Sequence, residues 1–254
     1  MTRVPSLDGL RGIAALAVML FHFNLFFLPQ TKLPLVGRAY LAVDLFFLLS
    51  GFVMAHVYGP SLTANWRAHW IEYGRARFAR IYPLFAATTL AMMLIFELCH
   101  IQLVLVSFSN RSLALQPVLL QQWASSLSWN YPSWSISAEA ESYVAFVFSA
   151  GLLLTGKHPR LIAISCAATL AALSIASGGN LNFFVGASAL VRTLAEFSLG
   201  VLLYRAHSTS PESRSWTVAF LILLVILAKA THFDIFMIGA LSWPAPGSVD
   251  TRLS

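Results

Sequence analysis

The sequence predicts an all-α fold, a polytopic bundle of about seven transmembrane helices with interfacial helices between them. Three observations predict it. Apolar residues make up 58% of the chain and charged residues 10%, where a soluble domain carries about 25% charged residues. The apolar residues gather in runs of roughly 17–22, the length that crosses a hydrocarbon core as a helix. Prolines, glycines and arginines stand between the runs, as turns and membrane edges require.

Residues 1–11 form a short polar head. Asp8 and Arg11 interrupt it, and no small-x-small site follows Pro29, so the first run is expected to be retained rather than cleaved as a signal peptide. The runs are 12–29, 39–58, 80–99, 134–155, 161–177, 183–204 and 215–233. Pro29 and Pro34 mark the first loop. Residues 59–79 interleave Arg67, Arg75 and Arg77 with Trp66, Trp70 and Tyr73 and read as a basic interfacial helix. Residues 100–133 hold no clean span. Ser112 to Trp123 reads as an amphipathic surface helix kinked by Pro117, and Asn130-Tyr131-Pro132 as a turn. The membrane domain is expected to cover 1–240 and a polar tail 241–254. There is no internal repeat.

The net charge of +6 points to arginines on cytoplasmic loops rather than to nucleic acid. With a cytoplasmic N-terminus, ten lysines and arginines fall on the inner side and four on the outer side, leaving out Arg192 and Lys229 within runs. Cys99 and Cys166 have no metal-ligand spacing, and no metal site is expected.

His22 stands in the middle of the first run, eleven positions after Arg11. Eleven helical steps make three turns plus about 20°, so the two side chains share a face about 16 Å apart. An ionisable group at the midplane marks a candidate functional site. A neutral histidine hydrogen-bonded to a neighbouring helix fits the same spacing. Arg11, Arg75, Arg77 and Arg80 gather at the inner edge, where guanidinium groups suit a polyanion or lipid head groups. Asp44 and Glu139 each lie a turn or so inside the outer edge. They are expected to face His22 across a polar cavity, with His22 as general base, or to form structural hydrogen bonds between helices. Glu141 lies about 200° round the helix from Glu139 and so faces elsewhere. Arg192 and Glu196, one turn apart, are expected to neutralise each other.

Five stretches carry a family resemblance. They are LDGLRGIAALAVMLFHF (Leu7 to Phe23), VDLFFLLSGFVM (Val43 to Met54), RARFARIYPLF (Arg75 to Phe85), WSISAEAESY (Trp134 to Tyr143) and EFSLG (Glu196 to Gly200). Together they resemble the acyltransferase-three family of integral-membrane O-acyltransferases, the polysaccharide and lipopolysaccharide O-acetylase type. The resemblance implies a multi-pass protein of the bacterial inner membrane. It implies transfer of an acyl group, usually acetyl from acetyl-CoA, to a carbohydrate or glycoconjugate hydroxyl. Acyl-CoA is then a donor substrate, no cofactor is resident, and membrane lipid surrounds the chain. His22 acts as base or acyl carrier, Glu139 helps organise the acceptor side, and the arginines hold the CoA phosphates. Ser50, Trp134, Tyr143, Arg192 and Glu196 support the site.

The chain departs from the family in two respects. It shows fewer spans than members commonly have, which implies a chain cut short on its C-terminal side and leaves an inactive remnant as an alternative. Ala140 follows Glu139 where a second acid or a tryptophan often stands. A transporter with a charged midplane pathway is the alternative from another class. The broken helices or inverted repeats that would mark it are not seen in the sequence.

Overall fold

The computed structural model describes residues 5–28, 36, 39–99, 110–124, 129–177 and 186–209, and every regular element among them is helical. Helix α1 is Pro5–Phe27. A 3₁₀ turn, Ala39–Leu41, leads into α2, Ala42–Cys99. A short α3, Asn110–Leu115, follows, then 3₁₀ turns at Gln121–Trp123 and Tyr131–Ser133. The chain continues as α4, Trp134–Thr155, α5, Pro159–Ala176, and α6, Gly186–Thr209. Among the described residues four helices are long and apolar enough to cross a membrane: Ala39–Cys99, Trp134–Thr155, Pro159–Ala176 and Gly186–Thr209. The first holds two of the expected runs, and α1 holds another. The count of seven is therefore not reached among the described residues. The seventh run, 215–233, and the tail, 241–254, lie outside them.

Helix α2 is two arms joined at Asn65, whose backbone (φ −159°, ψ 85°) is not helical. The Asn65 Oδ1 accepts from the Ala68 N–H at 3.3 Å, so the residue that breaks the first arm caps the second. The arms fold back on each other. Tyr58 and Tyr73 have ring centroids 5.0 Å apart, where fifteen residues of straight helix would separate them by about 22 Å. The expected interfacial helix over 59–79 is thus corrected. Its first residues close the first arm, and the rest runs on without a break through Arg80 and Pro83 into the third run. Alanine and arginine are strong helix formers across 75–80, and Asn65 is the better place to turn.

Partners across helices fix the directions. Phe47 meets Trp134 (6.2 Å between centroids) and Ser50 meets Glu139, so the first arm and α4 run the same way. Asp44 meets Arg192 and Phe52 meets Tyr204, so α6 runs that way too. Helix α1 is antiparallel to them, with Arg11 at Ser50 and Phe21 at Tyr40. The second arm is antiparallel to α4, with Trp66 at Phe148, Tyr73 at Tyr143 and Asn130 at Thr88. Helix α5 packs on α6 through Leu170, Ala195 and Leu199. Alternation of direction between successive crossings gives this pattern.

The tightest contact joins α2 to α6. A Cβ on Gly51 would stand 2.0 Å from the Phe197 carbonyl oxygen, and one on Gly200 would stand 2.0 Å from that of Leu48. Each helix presses its glycine against the other's backbone, the small-residue approach by which helices associate inside lipid. The central core, including Met54, Phe146, Phe197 and Val201, closes around this contact.

Residues 110–124 depart from the expected surface helix. The helical part ends at Leu115, ahead of Pro117, and Leu119 takes a positive φ of 57°. Ser112, Gln116, Gln121 and Gln122 are buried. The segment sits over the start of α4: Gln121 Nε2 donates to the Ser133 carbonyl (2.8 Å) and Ser137 Oγ to the Leu119 carbonyl (2.6 Å). Irregular backbone at this depth is stable only when covered by protein; Ser137 satisfies the Leu119 carbonyl, and Gln121 ties the segment to Ser133.

Replacing Gly200 by Ala is expected to wedge α2 from α6 and to destabilise the bundle by about 1–3 kcal/mol. Thermal unfolding in detergent measures it, and an unchanged midpoint contradicts the contact.

Candidate active site

A chain of polar side chains crosses the bundle between α1, both arms of α2, and α4. The Arg11 guanidinium donates through Nη2 to Ser50 Oγ at 3.4 Å. Ser50 Oγ donates in turn to Glu139 Oε1, and Tyr143 Oη donates to the same oxygen at 2.6 Å. Glu139 and Tyr143 lie one helical turn apart, so α4 places them on one face. From Tyr143 the contacts continue through rings, edge to face: Tyr143 to Tyr73 at 6.3 Å, and Tyr73 to Tyr58 at 5.0 Å. Arg77 closes the row. It lies over the Tyr58 ring at 4.9 Å and donates to its hydroxyl at 2.9 Å. Arg11 also lies in the fields of Arg80 and Glu139. Arg75 and Arg80 are exposed near the same end of the bundle.

Glu139 is half-buried, and its Oε1 accepts from two hydroxyls, one of which accepts from a guanidinium. A carboxyl oxygen drawn partly out of water is stabilised where its hydroxyl partners are themselves bonded. Glu141 is held apart, accepting from Gln122 Nε2 (2.6 Å) and Trp123 Nε1 (2.9 Å), so the two acids face different ways as their spacing predicts.

His22 is half-buried on α1, edge-on to Phe21 at 5.2 Å. Its Nδ1 donates to the Val18 carbonyl at 2.8 Å. In a neutral ring that bond selects the Nδ1–H tautomer and puts the basic lone pair on Nε2. Eleven residues separate His22 from Arg11, about 16 Å along the axis. Phe21, next to His22, meets Tyr40 at the far end of the first arm.

The depths differ from those expected of the acids. Glu139 shares the level of Arg11 and Ser50, not that of His22. The reason is that α4 begins inside the bundle. Trp134 is buried against Phe47, eight residues beyond Ala39, under the segment that covers it. Spacing in sequence measures depth only from a helix end that lies flush with the membrane.

Asp44 was expected to face His22 and turns instead to α6, while Leu45 and Leu49 take the contact with α1. Its carboxylate pairs with Arg192 Nη2, and Arg192 Nε donates to Glu196 Oε1 at 3.2 Å. The Arg192–Glu196 pair forms as its spacing predicts, with Asp44 as a third member. Trp134 lies under the Arg192 guanidinium at 5.9 Å. All three residues are at most 4% exposed. One cation against two acids, buried together, locks α2 to α6.

Tyr58 holds the site residue Arg77 without having been singled out in the sequence. The two stand 19 positions apart, across a turn that only the Asn65 cap betrays. Among the described residues, no group of three or more histidines, cysteines or acids could hold a metal.

A family model described as an acyltransferase domain matches residues 4–250. The chain belongs to the acyltransferase-three family. Protein 2 in the picA locus of Rhizobium radiobacter is 44% identical over 93 residues, 37% of this chain and 45% of that protein. Acyltransferase MdmB of Streptomyces mycarofaciens is 38% identical over 157 residues, 57% of this chain and 38% of its own length. O-acetyltransferase OatA of Staphylococcus aureus is 20% identical over 208 residues, 75% of this chain and 33% of its own length. The chain thus spans less than half the length of these curated relatives. No solved structure matches significantly. As a member of this family with several long apolar helices, the chain is a multi-pass membrane protein.

Removing one member of the buried ionic trio leaves the others uncompensated. Asp44→Ala is expected to cost roughly 3–5 kcal/mol, read as a fall in the thermal midpoint or loss of the folded fraction from detergent. A variant as stable as the parent contradicts the pairing.

Proposed function

We propose that the chain is a membrane-embedded O-acyltransferase that moves an acyl group, acetyl in the first instance, from acyl-CoA to a carbohydrate hydroxyl. The observation that carries the reading is the polar chain from Arg11 through Ser50 to Glu139 and Tyr143. It joins residues from three of the stretches by which the sequence resembles the family, and a fourth supplies Arg77 at its far end. Relatives named acyltransferase and O-acetyltransferase support the class of reaction.

In this reading the end of the bundle bearing Asn65 and the arginines faces the cytoplasm of a bacterial inner membrane. Arg11, Arg75, Arg77 and Arg80 hold the phosphates of the donor. Guanidinium groups suit this because each offers a planar fork of donors to phosphate oxygens. Glu139 acts as a positioning residue: through Ser50 it holds the Arg11 head group in place while neutralising it in part. The bound phosphates lie about 16 Å from His22 along α1. A donor therefore needs an extended arm to carry its thioester that far, and the pantetheine chain of coenzyme A is such an arm.

At His22 the neutral ring offers Nε2 to the acceptor. The acceptor oxygen attacks the thioester carbonyl as Nε2 takes its proton. The carbon–oxygen bond forms, the carbon–sulfur bond breaks, and the thiolate leaves with the proton returned from His22. Direct acylation of the ring before transfer is the variant of this scheme that uses His22 as carrier. The acceptor approaches from the side opposite the arginines. The buried trio of Asp44, Arg192 and Glu196 maintains the wall between α2 and α6.

The test is His22→Ala in the full chain, assayed for transfer from labelled acetyl-CoA to a carbohydrate acceptor in membranes where insertion is verified. Loss of about 10²-fold or more is expected when a general base is removed. Transfer at the parental rate would discard the mechanism. Acceptor-independent solute flux in liposomes without CoA would favour a transporter.

A further inference from the structure

We infer that the chain carries a binding site for an anionic phospholipid, which borders the proposed donor site at Arg77 and does not depend on the acyl-transfer reading. A cavity of about 840 Å³ lies between the second arm of α2 and α4, and the turn at Leu119 closes one end. That volume falls within the range of small-molecule sites. Its walls are graded. Trp66, Arg67 and Trp70 stand at the end nearest the Asn65 corner, with the Arg67 guanidinium 5.3 Å from the Trp66 ring centroid. Tryptophan beside arginine is the composition of a membrane–water boundary. Beyond them the walls are mainly apolar, built from Phe78, Ile81, Val144 and Val147, and the acid on them, Glu141, has its Oε1 engaged by Gln122 and Trp123.

Two wall residues have donors left over in the middle of this gradient. Tyr73 is 2% exposed, and its hydroxyl has no hydrogen-bond partner. Arg77 gives Nη2 to Tyr58, while its Nε–H, also buried, has none. A buried donor without an acceptor costs about 1–3 kcal/mol, so the site is built for a ligand that brings acceptors to this depth.

The required ligand is negatively charged at one end, carries oxygen acceptors next to it, and ends in hydrocarbon. An anionic phospholipid fits in that order. Its phosphate sits by Arg67, its ester oxygens meet Tyr73 and Arg77, and an acyl chain runs along Ile81, Val144 and Val147. The site opens where lipid would be, since Trp70, Phe78, Val144 and Phe148 are half or more exposed.

The experiment delipidates the purified full chain and titrates it with phosphatidylglycerol, phosphatidylcholine or a polyprenyl phosphate, counting bound lipid by native mass spectrometry. Phosphatidylglycerol is expected to bind in preference to the other two. Tyr73→Phe should weaken it roughly fivefold, the loss of one hydrogen bond. Val144→Trp, at an exposed wall position, should abolish it while leaving the thermal midpoint in place. Equal binding of phosphatidylglycerol and phosphatidylcholine overturns the inference. So does preference for the polyprenyl phosphate, or undiminished binding by both variants.

Discussion

A carboxyl group drawn half out of water needs donors, and the meeting of α1, α2 and α4 supplies them to Glu139. The first arm of α2 brings Ser50, α4 itself brings Tyr143, and α1 brings the Arg11 cation one bond further out. The Tyr143 bond lies within α4, while the Ser50–Glu139 and Arg11–Ser50 bonds cross between helices and fix how the three elements stand relative to one another. In lipid the hydrophobic effect gives helices little reason to prefer one another. Polar bonds of this kind, and close packing, choose the partners.

Close packing does the same for α6. Gly51 follows Ser50 directly, and its lack of a side chain lets the Phe197 backbone come against α2, as Gly200 does in return at Leu48. The ionic trio of Asp44, Arg192 and Glu196 lies a few residues further along the same interface. Two adjacent residues of α2 thus serve two interfaces: a serine bonded toward α1 and α4, and a glycine pressed on α6. This explains why the S-G pair interrupts Leu45 to Met54, a stretch otherwise made of large apolar side chains.

Much of this was legible in the sequence. The fourth run, 134–155, coincides with α4, and the fifth and sixth lie within a few residues of α5 and α6, because apolar length and breakers are local signals. The Arg192–Glu196 pair was visible as an i, i+4 spacing. Asp44 was not visible as its third member, because 148 positions separate it from Arg192 and one chain offers no measure of such distances. Depth misled in the same way. Glu139 looked close to the outer edge because Trp134 opens a helix, whereas that helix opens beneath a buried segment. Asn65 was legible in principle as a cap, but the tryptophans and arginines around it drew attention to an interfacial helix. The proposed chemistry depends on this corrected geometry, with guanidinium groups and Glu139 at one level and the His22 ring three helical turns away.

The claim on which the account rests is that Ser50 and Glu139 act as one unit. A double-mutant cycle with Ser50→Ala, Glu139→Gln and the pair, read by thermal stability in detergent, measures this directly. The account predicts a combined loss smaller than the sum of the single losses, by roughly 0.5–3 kcal/mol. Losses that add to within about 0.5 kcal/mol would contradict it.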